Sequence, residues 1–237
     1  MNIVLFSEKE YIESNVVRLR SRRFKHITQI HRVKVGDQLA VGQLGSLRGT
    51  GEVLRLSESF VDLKVTLTDS APVALPCQLI LALPRPPVLK RILISATSLG
   101  VKKIFLIQTN RVEKSFWQSS ALKPDILKTQ LILGLEQSKD TVLPEVYMRK
   151  RFKPFVEDEL PNLIRKSKGF VAHPQEAQPC PKEFPVPLTL VIGPEGGFIP
   201  FEIDKLTACG FNVIHAGCRI FRVETAVPFF LSRIPIS

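Results

Sequence analysis

The sequence predicts an α/β protein, a parallel sheet with helices on its faces, preceded by a small β-barrel. Three observations carry that expectation. Short alternating segments separated by Gly- or Ser-containing turns fill the N-terminal part, apolar strand-like runs alternate with helix-like runs over the remainder, and two of those runs end in glycine-bearing loops.

Near the N-terminus, Arg18, Arg20, Arg22, Arg23, Lys25, Arg32 and Lys34 crowd together with no acid between them, which predicts a basic patch. Ile27, Ile30 and His31 stand at i, i+3, i+4 spacing, so Phe24 to Arg32 should form a short helix. Alternation at Gln38 to Val41, Gly51 to Leu56 and Phe60 to Leu67 predicts the barrel strands. The stretch Thr68 to Pro76 mixes turn formers with two prolines and marks a boundary, giving one domain over 1–70 and another over 74–237.

Beyond it, strands are expected at Gln78 to Leu83, Ile104 to Gln108, Gly169 to His173, Leu188 to Ile192 and Asn212 to His215. Helices are expected at Val88 to Leu99, Pro124 to Gln137, Val156 to Lys166, Pro200 to Cys209 and from about Val223. In the first of these, Leu89, Ile92, Leu93, Ala96 and Leu99 make one apolar stripe, and Gly100 supplies the stop. Pro174 to Pro187 reads as a proline-rich connection.

Composition narrows the function. Hydrophobic residues make up 44% and charged residues 23%, and no apolar run approaches the roughly 18 residues of a membrane helix, so a soluble protein is expected. The start carries no secretory signal, which predicts a cytoplasmic home. Cys77, Cys180, Cys209 and Cys218 form no Cys-x-x-Cys pair and the histidines lack ligand spacing, so neither disulfides nor a metal are expected. A formal charge of +11, from 33 Lys and Arg against 22 acids, attracts polyanions and makes nucleic acid the leading partner.

In an open parallel sheet ligands collect beyond the carboxyl ends of the strands. Two loops stand there. Gly193-Pro194-Glu195-Gly196-Gly197-Phe198 follows the buried run Leu188 to Ile192, and its glycines suit either a tight turn or a close approach of ligand to main chain. Ala216-Gly217-Cys218-Arg219-Ile220-Phe221-Arg222 follows the next run and leads into Val223-Glu224-Thr225-Ala226. Glu224 falls in the first turn of the last helix, where the dipole favours an acid and where Arg219 or Arg222 could pair with it. Neither loop fits the dinucleotide or nucleoside-triphosphate signatures, so those cofactors are disfavoured.

The hexapeptide GPEGGF at 193–198, followed by Glu202-Ile203, Gly210-Phe211 and AGCRIFRVETA at 216–226, resembles the ribosomal RNA small subunit methyltransferase E family, of the SPOUT class. Fainter likeness covers nearly the whole chain: Arg23-Phe24 with His26-Ile27, Arg32, Gly36-Asp37, Ser98 to Val101, Arg111, Glu136 to Ser138 and Pro144 to Val146. The resemblance implies an N-terminal PUA-like β-barrel that binds RNA, here through Arg22, Arg23, Lys25, His26 and Arg32. It also implies a trefoil-knotted parallel sheet with helices on both faces, and a homodimer.

S-adenosyl-L-methionine is the implied cofactor. Its implied contacts are Ala172 and His173 at one strand end, Ile192, Gly193, Glu195 and Gly197 at a second, and Ala216, Gly217, Arg219, Ile220, Phe221 and Arg222 at a third. The implied reaction is methylation of a uridine at N3 in 16S ribosomal RNA, free or in the small ribosomal subunit. There the Arg222 guanidinium would stabilise the charge on the deprotonated base, with Glu224 orienting it. This chain departs from the family where Cys218 replaces a proline, where Ile94, Ser95 and Ser98 stand in the first helix, and where Lys139-Asp140 replaces Gly-Arg. Those changes hardly touch the cofactor loops and allow a second reading, an RNA-binding relative without catalysis. A third, an enzyme with another nucleotide cofactor, rests only on glycine-rich strand ends.

Overall fold

Side chains alternating in and out along short strands build the first of two compact units, which comprises Met1–Pro72 and Ile132–Leu143. The structure, a computed structural model, describes residues 2–30, 32–174 and 177–235. His31 therefore lies outside the described residues. Six strands, β1 (Val4–Phe6), β2 (Tyr11–Glu13), β3 (Val16–Arg20), β4 (Gln38–Gln43), β5 (Arg48–Leu56) and β6 (Phe60–Asp69), lie in the order β1-β4-β5-β6-β3-β2. The β1–β4 pair is parallel and the others antiparallel. Val17 and Leu19 of β3 face Val61, Leu63 and Val65 of β6 within one core, which also holds Phe6, Ile27, Val41 and Val53. Ile3 and Leu5 pack instead on Leu135.

The first three strands were not foreseen because they are short and their arginines read as a patch. Residues 132–143 also differ from expectation: sequence placed them in the second domain, but Leu135 completes the apolar cluster of the first unit. The helix expected over Phe24 to Arg32 begins earlier, as an α-turn over Ser21–Lys25 continued by a π-turn over His26–Ile30.

Much of the basic stretch is neutralised internally. Arg18 forms a bidentate pair with Asp62, both bonds at 2.8 Å. Arg22 grips Glu136 at 3.0 and 2.7 Å, and Arg23 pairs with Glu10 while donating to the Leu5 carbonyl at 2.9 Å. Burial pushes the Glu10 carboxyl up, but hydrogen bonds from Arg23 and Ser7 outweigh it and hold the group below its ordinary value. Lys25 and Arg32 remain exposed, and among the described residues neither has a carboxylate partner; His26 is half-buried.

The second unit, Val73–Leu131 with Pro144–Ser237, is built on an all-parallel sheet. Its strands are β7 (Cys77–Ala82), β8 (Lys103–Ile107), β9 (Glu145–Arg149), β10 (Lys168–Ala172), β11 (Gln178–Pro179), β12 (Leu188–Ile192) and β13 (Asn212–His215). They run in the order β11-β13-β10-β12-β7-β8-β9. Strand β12 is buried along its whole length, as a central parallel strand must be. Prolines at its first two positions start the Pro86–Ser98 helix, which buries Val88, Leu89, Ile92, Leu93 and Ala96 and ends before Gly100 at φ +90°. The Val223–Leu231 helix packs against it.

Strands β9 and β11 were unforeseen, since Glu145–Arg149 shows no alternation and Gln178–Pro179 exists only through its pairing with β13. The helix expected over Val156 to Lys166 is broken into Phe152–Pro154, a π-turn Phe155–Glu159, and Leu160–Ile164. Pro161 has no N–H to give to a continuous ladder, which accounts for the interruption.

Arg22→Ala should leave the Glu136 carboxylate, 2% exposed, without its cation. Because Arg22 itself is half-exposed, the expected loss is about 2 kcal/mol rather than the larger figure for a fully buried pair. Urea denaturation followed by circular dichroism checks it; an unchanged midpoint would mean the pair contributes nothing.

Candidate functional site

Strands β13, β10 and β12 are neighbours and parallel, so their carboxyl ends, at His215, Ala172 and Ile192, open on the same edge of the sheet. A cavity of about 240 Å³ lies there. It is lined by every residue that the sequence reading assigned to cofactor binding except Arg222: Ala172 and His173, then Ile192, Gly193, Glu195 and Gly197, then Ala216, Gly217, Arg219, Ile220 and Phe221. Pro174, Pro194, Gly196, Ile214, His215, Val223, Ala226 and Phe230 complete the lining.

The loop after β12 is held from several sides. Gly193 lies so close to the Phe198 ring that a Cβ there would sit 3.1 Å from it. Gly197, at φ +74°, donates its amide to the Pro194 carbonyl at 2.8 Å, closing a turn that an L side chain would strain. The Arg111 guanidinium donates to the Gly196 carbonyl, and its stem covers that glycine. Buried Glu202 then accepts from the Ile199 amide at 3.0 Å and the Asn110 amide at 2.6 Å, fixing the start of the Pro200–Ala208 helix.

The loop after β13 is arranged differently. Gly217 adopts φ +111° and donates its amide to His215 Nδ1 at 3.0 Å. The following amides, Cys218 to Arg222, have no protein acceptor among the described residues. Donors left over along one loop beside a cavity are available to a ligand. Apolar Ile192, Ile214 and Phe230 supply the other walls, so the lining suits a ligand with a flat apolar part and several acceptors.

Arg222 and Glu224 line a second cleft, of about 660 Å³, together with Arg85, Arg91, Pro194, Glu195, Ile220 and Phe221. Glu224 was expected to pair with Arg222. Its observed partner is Arg91, at 3.4 Å, because the packing of the Val223–Leu231 helix on Pro86–Ser98 brings that side chain across. Arg85 and Arg91 were missed and Arg111 was named only within the resemblance, although Arg85 and Arg111 follow β7 and β8 at the same edge of the sheet and the strand-end rule could have found them.

Cysteine chemistry is disfavoured for three of the four thiols: burial pushes Cys77 up to about 12, and also raises Cys180 and Cys209. Among the described residues no group of three or more His, Cys, Asp or Glu is placed to hold a metal, and no helix is long and apolar enough to cross a membrane.

Comparison with known proteins adds a family. The family model described as an RNA methyltransferase domain matches residues 71–235. Ribosomal RNA small subunit methyltransferase E of Treponema pallidum is 29% identical, over 95% of this chain and 87% of the relative. Its counterpart 1 in Borreliella burgdorferi is 24% identical, over 95% and 94%. A crystal structure of ribosomal RNA small subunit methyltransferase E from Neisseria gonorrhoeae bound to S-adenosyl methionine superposes with a TM-score of 0.74, at 17% identity, covering 98% of this chain and 95% of that one.

Arg111→Ala should free the Gly196 carbonyl and loosen the whole turn. A charge-assisted hydrogen bond of about 1.5 kcal/mol corresponds to roughly tenfold faster amide exchange over residues 193–198. Hydrogen-exchange mass spectrometry measures this, and protection equal to that of the parent chain would deny Arg111 the role.

Proposed function

Since the chain belongs to the RNA methyltransferase family, we propose that it transfers the methyl group of S-adenosylmethionine to N3 of a uridine in 16S ribosomal RNA of the small subunit. One observation carries the reading: the two glycine-bearing motifs and the end of β10 line a single cavity, with unspent loop amides beside it. The names of the Treponema and Borreliella relatives support ribosomal RNA as substrate, and the molecule bound in the Neisseria structure supports the donor.

S-adenosylmethionine supplies a methyl already activated on a sulfonium, so the protein's task is chiefly positioning and exclusion of water. The amides of Cys218 to Phe221 would hold the donor's polar edges, while Ile192, Ile214 and Phe230 would cover its apolar surface. The acceptor must lose the N3 proton and carry negative charge on its flanking carbonyl oxygens. Arg222, which lines the adjoining cleft, would meet that charge. Glu224 pairs with Arg91 in the same cleft instead.

The rest of the reading is consistent with this. Strand β12 sits between β7 and β10, both earlier in the chain, and the chain then passes to the far side of β10 before its last helix returns to β12 and the Pro86–Ser98 helix. Such a path suits a trefoil knot, and the six-stranded N-terminal sheet suits a PUA-like RNA-binding domain, with Lys25 and Arg32 among the cations that have no carboxylate partner among the described residues. A cytoplasmic homodimer completes the proposal.

Incubation with S-adenosylmethionine and undermethylated small subunits, then mass spectrometry of the digested RNA, should find one added methyl on a uridine. No gain would leave an RNA-binding relative without catalysis. Arg222→Ala should lower turnover about 100-fold while leaving donor affinity, read by calorimetry, nearly unchanged; equal losses in both would make Arg222 a support of the cavity only.

A further inference from the structure

The cleft behind Ile220 and Phe221 carries chemistry that holding a methyl donor does not use. It shares Pro194, Glu195, Ile220, Phe221 and Val223 with the strand-end cavity, so the two spaces adjoin along these residues. Three guanidinium groups, Arg85, Arg91 and Arg222, face it against two carboxylates. Both carboxylates are partly engaged: Glu195 accepts the Arg85 amide at 3.1 Å, and Glu224 holds Arg91 at 3.4 Å. Among the described residues, the guanidinium groups of Arg85 and Arg222 have no carboxylate partner. Arg91 is 64% exposed beside its own, a loose pair that can be shared with an incoming anion.

Two further features point to what fills the cleft. Ile220, which lines both spaces, is 83% exposed, a large aliphatic surface with nothing covering it among the described residues. A flat base laid there would remove that surface from water. Arg85 also stands at the N-cap of the 13-residue Pro86–Ser98 helix, whose dipole adds to the attraction for an anion at the same mouth. An exposed aliphatic residue in a cleft lined by guanidinium groups matches a nucleotide, base on the isoleucine and phosphates on the arginines.

We propose that this cleft receives the target nucleotide of single-stranded or locally opened RNA. Its base lies against Ile220 and Phe221, and its flanking phosphates bind Arg85 and Arg91. The inference rests on the methyltransferase reading for its purpose, since a base turned out of its stack here would enter the space adjoining the donor, as direct transfer of a methyl requires. Arg85 and Arg91 are then substrate-binding residues at the strand-end edge of the second unit, distinct from the cations of the N-terminal sheet.

The test uses the full chain and a short single-stranded RNA with one 5-iodouridine, whose photocrosslinks are mapped by mass spectrometry. Crosslinks are expected in peptides carrying residues 219–222 or 85–91. Without light, the salt dependence of binding should lose about 1.4 from its log–log slope in the Arg85→Ala, Arg91→Ala double variant, two phosphates at roughly 0.7 each. The slope should return in the double Lys variant, which keeps the charge, whereas a purely structural role would not follow charge. On undermethylated subunits the double Ala variant should raise KM about tenfold with kcat little changed.

No binding at low salt, crosslinks confined to the N-terminal sheet, or an unaltered slope in the double Ala variant overturns the proposal, even if the parent chain methylates RNA. Conversely, crosslinks in the cleft from a chain that adds no methyl would retain the nucleotide seat and remove the reaction.

Discussion

Everything at the site depends on one pairing: β12 hydrogen-bonded in parallel between β7 and β10. Parallel register makes the carboxyl ends of β10, β12 and β13 converge on one edge, so three loops far apart in the chain can share a cavity. The pairing is secured by complete burial of Leu188–Ile192, which leaves the strand no alternative exposed position. Shifting it by one residue would turn every one of its side chains to the opposite face, so the register is strongly specified.

On that frame the two loops divide the work. The β12 loop is rigid, braced by Arg111 and by the Glu202 carboxylate, and it forms a wall. The β13 loop is left with amides that bond only to solvent and with an uncovered isoleucine, both available to ligands. Ile220 and Phe221 thus serve two spaces at once. The geometry suits a reaction in which donor and acceptor occupy two spaces and react where those spaces adjoin.

Legibility followed range. The run Leu188–Ile192 is apolar, short and bounded by proline and glycine, so its strand and the loop after it could be read locally. The cavity residues were legible through the two motifs and the strand-end rule. What escaped depends on distant partners. Glu136 neutralises Arg22 from more than a hundred positions away, and nothing near Arg22 signals that its charge is spent. Arg91 reaches Glu224 only because two helices pack, while Arg222 and Glu224 look like natural partners when read along the chain. Gln178–Pro179 becomes a strand only because β13 offers it an edge.

The central claim is that the cavity at the ends of β10, β12 and β13 holds S-adenosylmethionine. A crystal of this chain grown with that molecule measures it directly. The account predicts the donor's density between the loops that begin at His173, Gly193 and Ala216, with main-chain amides of Cys218 to Phe221 within hydrogen-bond reach. A cavity closed by protein side chains, with the donor bound elsewhere or not at all, would contradict it.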